Sequence, residues 1–314
     1  MLATRTIRVG TRASLLARTQ TQQVVEALGR SNPDFALETV LVSTDGDRSR
    51  EPLAQIGGTG VFVSALRDAL LEDRIDVAVH SYKDLPTAAV AGIALAAVPR
   101  REDPRDALCA RDGLGLLELP SGARIGTGSP RRAAQLRALD LGLEIVPIRG
   151  NVDTRLGRVG AGDGQLDGVV LALAGLQRLA RTEQVTEVLD PMQLLPAPAQ
   201  GALAVECRES DELVRGLLAG LDDLPSRSAV AAERALLAEL EAGCSAPVGA
   251  LAEVIEGDDG ALEVFLRGSV TAPDGSDAVR LSATGPLNTA EQVGRRLAAE
   301  LVELGANMMM ESST

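Results

Sequence analysis

The chain has 314 residues, a formal net charge of −13, and 45% hydrophobic residues of which aromatics supply only 1% of the chain. Its length exceeds one ordinary domain of about 100–200 residues, so two or three are expected, with cores built from Leu, Val, Ala and Ile. The acidic balance argues against nucleic acid and anionic membrane surfaces, which need a positive field, and Trp is absent where single-strand binders stack bases.

No apolar run approaches the roughly 18–20 residues of a membrane span, and the opening MLATRTIRVG lacks the pattern of a signal peptide, so a cytoplasmic location is expected. Three cysteines, Cys109, Cys207 and Cys244, are an odd number without C-x-x-C spacing, which suggests neither a disulfide framework nor a zinc knuckle. A single His argues against a His-based metal site.

In chain order, short β-type runs alternate with helical patterns: IRVG, Ser14–Leu28, LETVLV, Val61–Leu71, IDVAVH. This predicts a parallel sheet covered by helices, with Val61, Ala65, Leu66, Ala69 and Leu70 as the buried stripe of the second helix. Between them QIGGTGVF is glycine-rich but lacks the phosphate-loop signature, and reads as a lid or turn. A charged, proline-bounded stretch from Pro99 to Pro104 marks a domain crossing.

The pattern then restarts: strand ARIG with a helix from Pro130, EIVPI with a helix from Val152, GVVLAL with a helix near Leu176. Strand ALAVECR and a helix near Asp211–Leu218 follow the loop LPAPAQG and are expected to return to the first domain. A long helix, Ser226–Glu241, ended by Gly243, opens a small α+β domain with strands in LAEVI, LEVFLRG and VRLSA and a helix from Thr289 to about Leu304. The tail from Met308 reads as frayed. The expected fold class is α/β, two domains over 1–99 with 200–220 and over 100–199, plus an α+β domain over 221–314.

Arginines gather where strands meet helices. In GTGSPRRAAQL, Ser129 suits an N-cap and Pro130 the first helical position, which places Arg131 and Arg132 in the first turn. Cations there oppose the helix dipole at about 0.3–1 kcal/mol each unless an anion binds, so the pair calls for a carboxylate. IRGNVDTRL repeats the arrangement with Arg149 before the cap Asn151 and Arg155 one turn in, and GTRASLLA places Arg12 before Ser14. Such corners suit a ligand with several acidic groups at the carboxyl ends of the strands. For any single arginine, a surface ion pair is the alternative.

The only Lys, His and Tyr of the chain, Lys83, His80 and Tyr82, fall together in AVHSYKDLP. Codon bias with coincidence is one account, and chemistry that requires an amine is the other. Asp84, next to Lys83 at the end of a strand, suits proton transfer to a leaving amine or, alternatively, capping of local N–H groups. Cys244, on a loop of small residues, is more accessible than Cys109 and Cys207, which sit in apolar strand patterns.

With these residues in place, the chain resembles porphobilinogen deaminases. The resemblance runs through GTRAS-LLA, AVHSYKDLP, REDPRDAL, IGTGSPRR, IRGNVDTRL, LALAGLQRL, LPAPAQGALAVECR and LEAGCSAPVGA. It implies two periplasmic-binding-protein-like α/β domains around a cleft and a third domain carrying the attachment cysteine. It further implies a dipyrromethane cofactor held by a thioether to Cys244, with Asp84 as the catalytic carboxylate. Lys83, Asp84, Ser129, Arg131 and Arg132 would contact the cofactor, and Arg12, Ser14, Arg149, Arg155 and Arg178 the substrate. The implied reaction expels ammonia from porphobilinogen and joins four such units head to tail into hydroxymethylbilane, in a protein expected to be monomeric.

The chain departs from the family at Leu15, where Pro is usual, at Pro130, where Leu is usual, and at Thr59, which stands where the lid normally has a lysine. The rivals are a non-catalytic binding protein of the same architecture and a transcriptional co-inducer domain. The loop cysteine argues against the first, and the lack of a basic DNA-binding module against the second.

Overall fold

The computed structural model describes residues 5–42, 60–242, 246–257 and 260–311. The chain divides into two compact units, Met1–Arg101 with Ala202–Arg227, and Glu102–Gly201 with Ser228–Thr314.

In the first unit, β1 (Ile7–Thr11), α1 (Leu15–Ser31), β2 (Leu37–Leu41), α2 (Gly60–Leu71), β3 (Val77–Ser81) and β4 (Ile93–Ala97) are joined by β10 (Leu203–Arg208), strands being numbered along the whole chain. The sheet order is β2-β1-β3-β10-β4. β1 runs parallel to β2 and β3, as the alternation of strands and helices predicts. β10 instead runs antiparallel to β3 and β4, so the sheet is mixed and not wholly parallel. It enters from the other segment of the chain without a crossover helix, and is free of the constraint that makes βαβ neighbours parallel.

Side chains alternate along the strands with a period of two and supply a core to each face. Ile7, Val9, Val77, Val79 and Val205 pack with Val24 and Leu28 of α1 and with Val214 and Leu218 of α6 (Glu212–Ala219). Ala78 and Ile75 pack on the other side with Leu66, Ala69 and Leu70 of α2, the predicted stripe. The Val61 side chain lies outside the described residues. At the amino edge, Asp76 is fully buried and held by Arg5, Arg8 and Arg208 at 2.7, 2.9 and 2.6 Å, which leaves the carboxyl edge for other work.

The second unit repeats the plan. It contains β5 (Asp106–Ala110), β6 (Arg124–Thr127), α3 (Pro130–Ala138), β7 (Glu144–Pro147), α4 (Val152–Leu156), β8 (Gly168–Ala172), α5 (Leu173–Arg178) and the short β9 (Glu187–Val188). The order is β7-β6-β8-β5-β9, with β6 parallel to β7 and β8, and β5 antiparallel to β8 and β9. The apolar run ALCA is thus β5; β4 and β9 have no counterpart among the predicted strands.

The same unit contains the α+β body: α7 (Leu224–Glu239) from Ser228 onward, a meander of β11 (Val248–Glu256), β12 (Leu262–Thr271) and β13 (Ala278–Pro286), then α8 (Ala290–Glu303) and α9 (Ala306–Glu311). Ala232, Leu236, Leu297 and Leu301 of the helices close its core against Ala250, Ala252, Val264 and Leu266. The tail is less frayed than predicted, because Ala306 and Met309 join that core. Gly243, the expected terminator of α7, lies outside the described residues. Just past the end of α7, Glu241 takes the left-handed conformation at φ 50°, with Ala242 N–H donating to Leu237 O at 3.2 Å and Glu241 N–H to Ala238 O at 3.0 Å, bonds that satisfy carbonyls of the helix's last turn.

Candidate functional site

In the first unit the predicted residues share the carboxyl edge of neighbouring parallel strands. Arg12 follows β1 directly, and Ser14 caps α1, its Oγ accepting from Ala17 N–H at 3.3 Å. Lys83 and Asp84 form the short 3₁₀ turn Tyr82–Asp84 at the end of β3. That turn is pinned on both sides: Tyr82 and Leu85 are buried, Tyr82 N–H donates to Ala202 O at 3.0 Å, and Gln20 of α1 donates to Ser81 Oγ at 2.9 Å. The half-buried Asp84 carboxylate makes no hydrogen bond or ion pair among the described residues. The capping alternative has no bond to support it.

In the second unit Ser129 caps α3, its Oγ accepting from Arg132 N–H at 3.4 Å. The carboxylate that Arg131 and Arg132 call for comes from the chain itself. Asp106, fully buried, accepts from Arg131 Nη2 at 2.7 Å on one oxygen, and from Arg132 Nε at 3.0 Å and Nη2 at 2.7 Å on the other. It is the first residue of β5 and lies opposite Ala172, the last residue of β8. β5 begins at the edge where the mutually parallel β6 and β8 end, so Asp106 emerges beside the helix that follows β6.

Burial pushes the Asp106 carboxyl upward, but the two guanidinium charges and their hydrogen bonds outweigh it and hold the acid well below its usual range. Arg131 also donates to Leu195 O at 2.6 Å and Arg132 to Val170 O at 3.0 Å. One carboxylate against two guanidiniums leaves a net positive charge, and Arg131 Nε is buried with no hydrogen-bond partner among the described residues.

Arg149 follows β7 and is exposed, and Asn151 caps α4 by accepting from Thr154 N–H at 2.8 Å. Arg155 bends back to donate from Nε to Gly150 O at 2.8 Å. Burial, then the charge of Arg132, then that of Arg149 all disfavour its protonated form. No acid figures among those influences. Arg178 ends α5, donates to Gly201 O at 2.8 Å and keeps a buried Nε without a hydrogen-bond partner among the described residues. The second unit therefore gathers Ser129, Arg131, Arg132, Arg149, Arg155 and Arg178 along the carboxyl ends of β6, β7 and β8.

Burial pushes the thiols of Cys109 and Cys207 up to about 11, so both are inert core residues, as predicted. Cys244 lies outside the described residues, as do Gly57, Gly58 and Thr59. Sequence reasoning missed Asp106 and Gln200, which bond the arginine pair directly, and Glu233, a buried acid that holds the Ala199 amide. The first was within reach as an acid opening an apolar strand; the other two carry no local signal.

Two family profiles match the chain: "Porphobilinogen deaminase, dipyromethane cofactor binding domain" over residues 7–216, and "Porphobilinogen deaminase, C-terminal domain" over residues 228–303. The chain is 58% identical over 308 residues to a porphobilinogen deaminase of Mycobacterium tuberculosis, covering 97% of this chain and 98% of that one. It is 58% identical over 312 residues to the one of Mycolicibacterium paratuberculosis, covering 98% and 97%. Among solved structures, the methionine binding protein MetQ aligns with a TM-score of 0.43 at 13% identity, over 68% of this chain and 89% of that one.

Proposed function

Because the chain belongs to the porphobilinogen deaminase family, we propose that the residues along the two carboxyl edges divide the family's reaction between them. The chain is a transferase of tetrapyrrole biosynthesis that condenses porphobilinogen into hydroxymethylbilane, with a dipyrromethane cofactor.

The arginines of the second unit fit such a group. Its pyrroles bear carboxylate arms, and the buried Nε atoms of Arg131 and Arg178 lack partners among the described residues. The observation that carries the reading is the buried guanidinium of Arg155 placed beside the charges of Arg132 and Arg149, an arrangement that favours an anionic ligand between them. When bound, the cofactor supplies the pyrrole carbon from which the product is extended, and it stays on the protein when the product leaves.

In this reading Cys244 holds the cofactor by a thioether, and Lys83, Ser129, Arg131 and Arg132 bind its carboxylates. Arg12, Ser14, Arg149, Arg155 and Arg178 hold the acetate and propionate arms of the substrate as bidentate or backbone-assisted partners. Asp84 contacts cofactor and substrate, gives a proton to the amine that departs as ammonia, and then faces the resulting cation as a carboxylate. Its side chain is not spent on local amides, which leaves both oxygens for that work. Cytoplasmic placement, a monomeric state and the three-domain division belong to the same reading. Among the described residues no helix is long and apolar enough to cross a membrane.

Intact mass of the purified protein, beside Cys244→Ser and with an acidic Ehrlich test on both, examines the reading. Wild type should carry extra mass equal to two linked porphobilinogen units, and Cys244→Ser should carry none. A wild type that stays unmodified after incubation with porphobilinogen would reject the assignment.

A further inference from the structure

Glu233 is a fully buried acid with no part in the chemistry above. It sits on α7, whose chain runs on to Ala242, just short of Cys244. Its two oxygens serve two different segments: Oε2 accepts from Ala199 N–H at 2.6 Å, and Oε1 from Ala252 N–H at 2.8 Å. Ala252 belongs to β11, the outer strand of its sheet, whose free edge the loop 194–200 lines. Along that edge Ala250 N–H donates to Pro196 O at 2.8 Å, and a Cβ on Gly249 would lie 2.9 Å from Leu195 O.

The other side of this loop supports the arginine pair. Leu195 O accepts from Arg131 Nη1 at 2.6 Å. Gln200 donates to Asp106 Oδ1 at 2.8 Å and to Pro104 O at 2.7 Å, and its own oxygen accepts from Arg132 Nη2 at 3.3 Å. Between these contacts Ala199 is held at φ 61°, a left-handed conformation that a non-glycine residue enters at some cost. Glu233 binds the amide of that same residue, so it offsets the strain where it arises.

We propose that Glu233 is a positioning residue for the cofactor: through Ala199 it fixes the loop whose Leu195 and Gln200 set Arg131 and Arg132, and so registers the helix leading to Cys244 against the arginines. This rests on the assignment of Arg131 and Arg132 to cofactor carboxylates. A guanidinium fork displaced by a fraction of an ångström loses its bidentate fit, so the effect belongs to cofactor capture before it belongs to turnover.

The test is a double-mutant cycle on loading. Full-length apo protein, made in cells without porphobilinogen, is mixed with porphobilinogen, and cofactor attachment is timed by intact mass for wild type, Glu233→Gln, Arg131→Leu and the double variant. All four are assayed at a temperature where circular dichroism shows each folded. Glu233→Gln should load roughly tenfold slower or more, the scale of one misplaced charge-assisted contact. It should add less than its full loss in the Arg131→Leu background, because part of its effect passes through the Arg131 guanidinium.

Wild-type loading by Glu233→Gln, or losses that multiply in the double variant, would overturn the proposal and leave Glu233 a purely structural residue. Wild-type loading by Arg131→Leu would instead remove the arginine assignment beneath it, and the proposal with it. Should Glu233→Gln not fold, Glu233→Asp, which keeps the carboxyl group and loses reach, is carried through the same cycle.

Discussion

Arg132 grips a single oxygen of Asp106 with two of its nitrogens, at 3.0 and 2.7 Å, while Arg131 takes the other oxygen at 2.7 Å. All three residues are buried, so the carboxylate is the condition under which two cations are tolerated inside the fold. Asp106→Asn keeps the shape and removes the charge. It should lower the unfolding free energy by about 3–5 kcal/mol, the range for breaking a buried ion pair. Urea unfolding at pH 7 measures this, and a loss below about 1 kcal/mol would mean that the arginines find compensation elsewhere.

Asp84→Asn changes little in volume and breaks no bond among the described residues, so melting should stay close to wild type. Turnover should fall by about 10²–10⁴, the usual contribution of a positioned proton donor. Single-turnover release of ammonia at saturating porphobilinogen isolates this step. Near-normal release would take Asp84 out of the reaction.

Arg149 is exposed and follows a strand, so Arg149→Leu should be nearly neutral for stability. For acidic pyrroles it should cost about 10- to 100-fold in binding or elongation, the worth of one charge-assisted hydrogen bond. The same change has a second, opposite effect on Arg155: losing one of the cations that disfavour its charge should raise its pKa. Elongation profiles by mass spectrometry, beside direct measurement of Arg155 by NMR, read both.

Local rules carried the sequence reading as far as single corners. Ser129, Asn151 and Ser14 cap the helices foreseen for them, because a cap needs only the residue itself and the next turn. The buried stripe of α2 was legible for the same reason. The antiparallel entry of β10 was not, since strand direction depends on where the rest of the chain has been. Nor was Asp106 legible as the partner of Arg131 and Arg132, or Gln200 as its second support, because nothing in their spacing brings them together. Gly201 belongs to the same class. It has φ 88° and a Cβ there would lie 2.5 Å from Glu102 O, a constraint visible only once both segments are placed. The cysteine chemistry falls on residues outside the described part, so the sequence remains its support.

The rare histidine region carries a last consequence, for acid stability. Glu206 of β10 accepts from Arg67 at 2.6 and 3.0 Å, and His80 Nε2 stands 3.2 Å away. Burial pushes the Glu206 carboxyl up, yet the neighbouring His80 and the hydrogen-bonded Arg67 prevail and bring it down to about 2. The unfolded chain titrates this group near about 4.3, so the folded state binds fewer protons between these values. Its contribution is therefore complete above the unfolded value and is lost as pH falls toward about 2. Glu206→Gln should be less stable than wild type at pH 7, and the gap should narrow steadily from pH 5 to pH 3 in urea titrations. A gap that stays constant over that range would mean that Glu206 contributes shape, and not charge, to the pairing of β10 with β3.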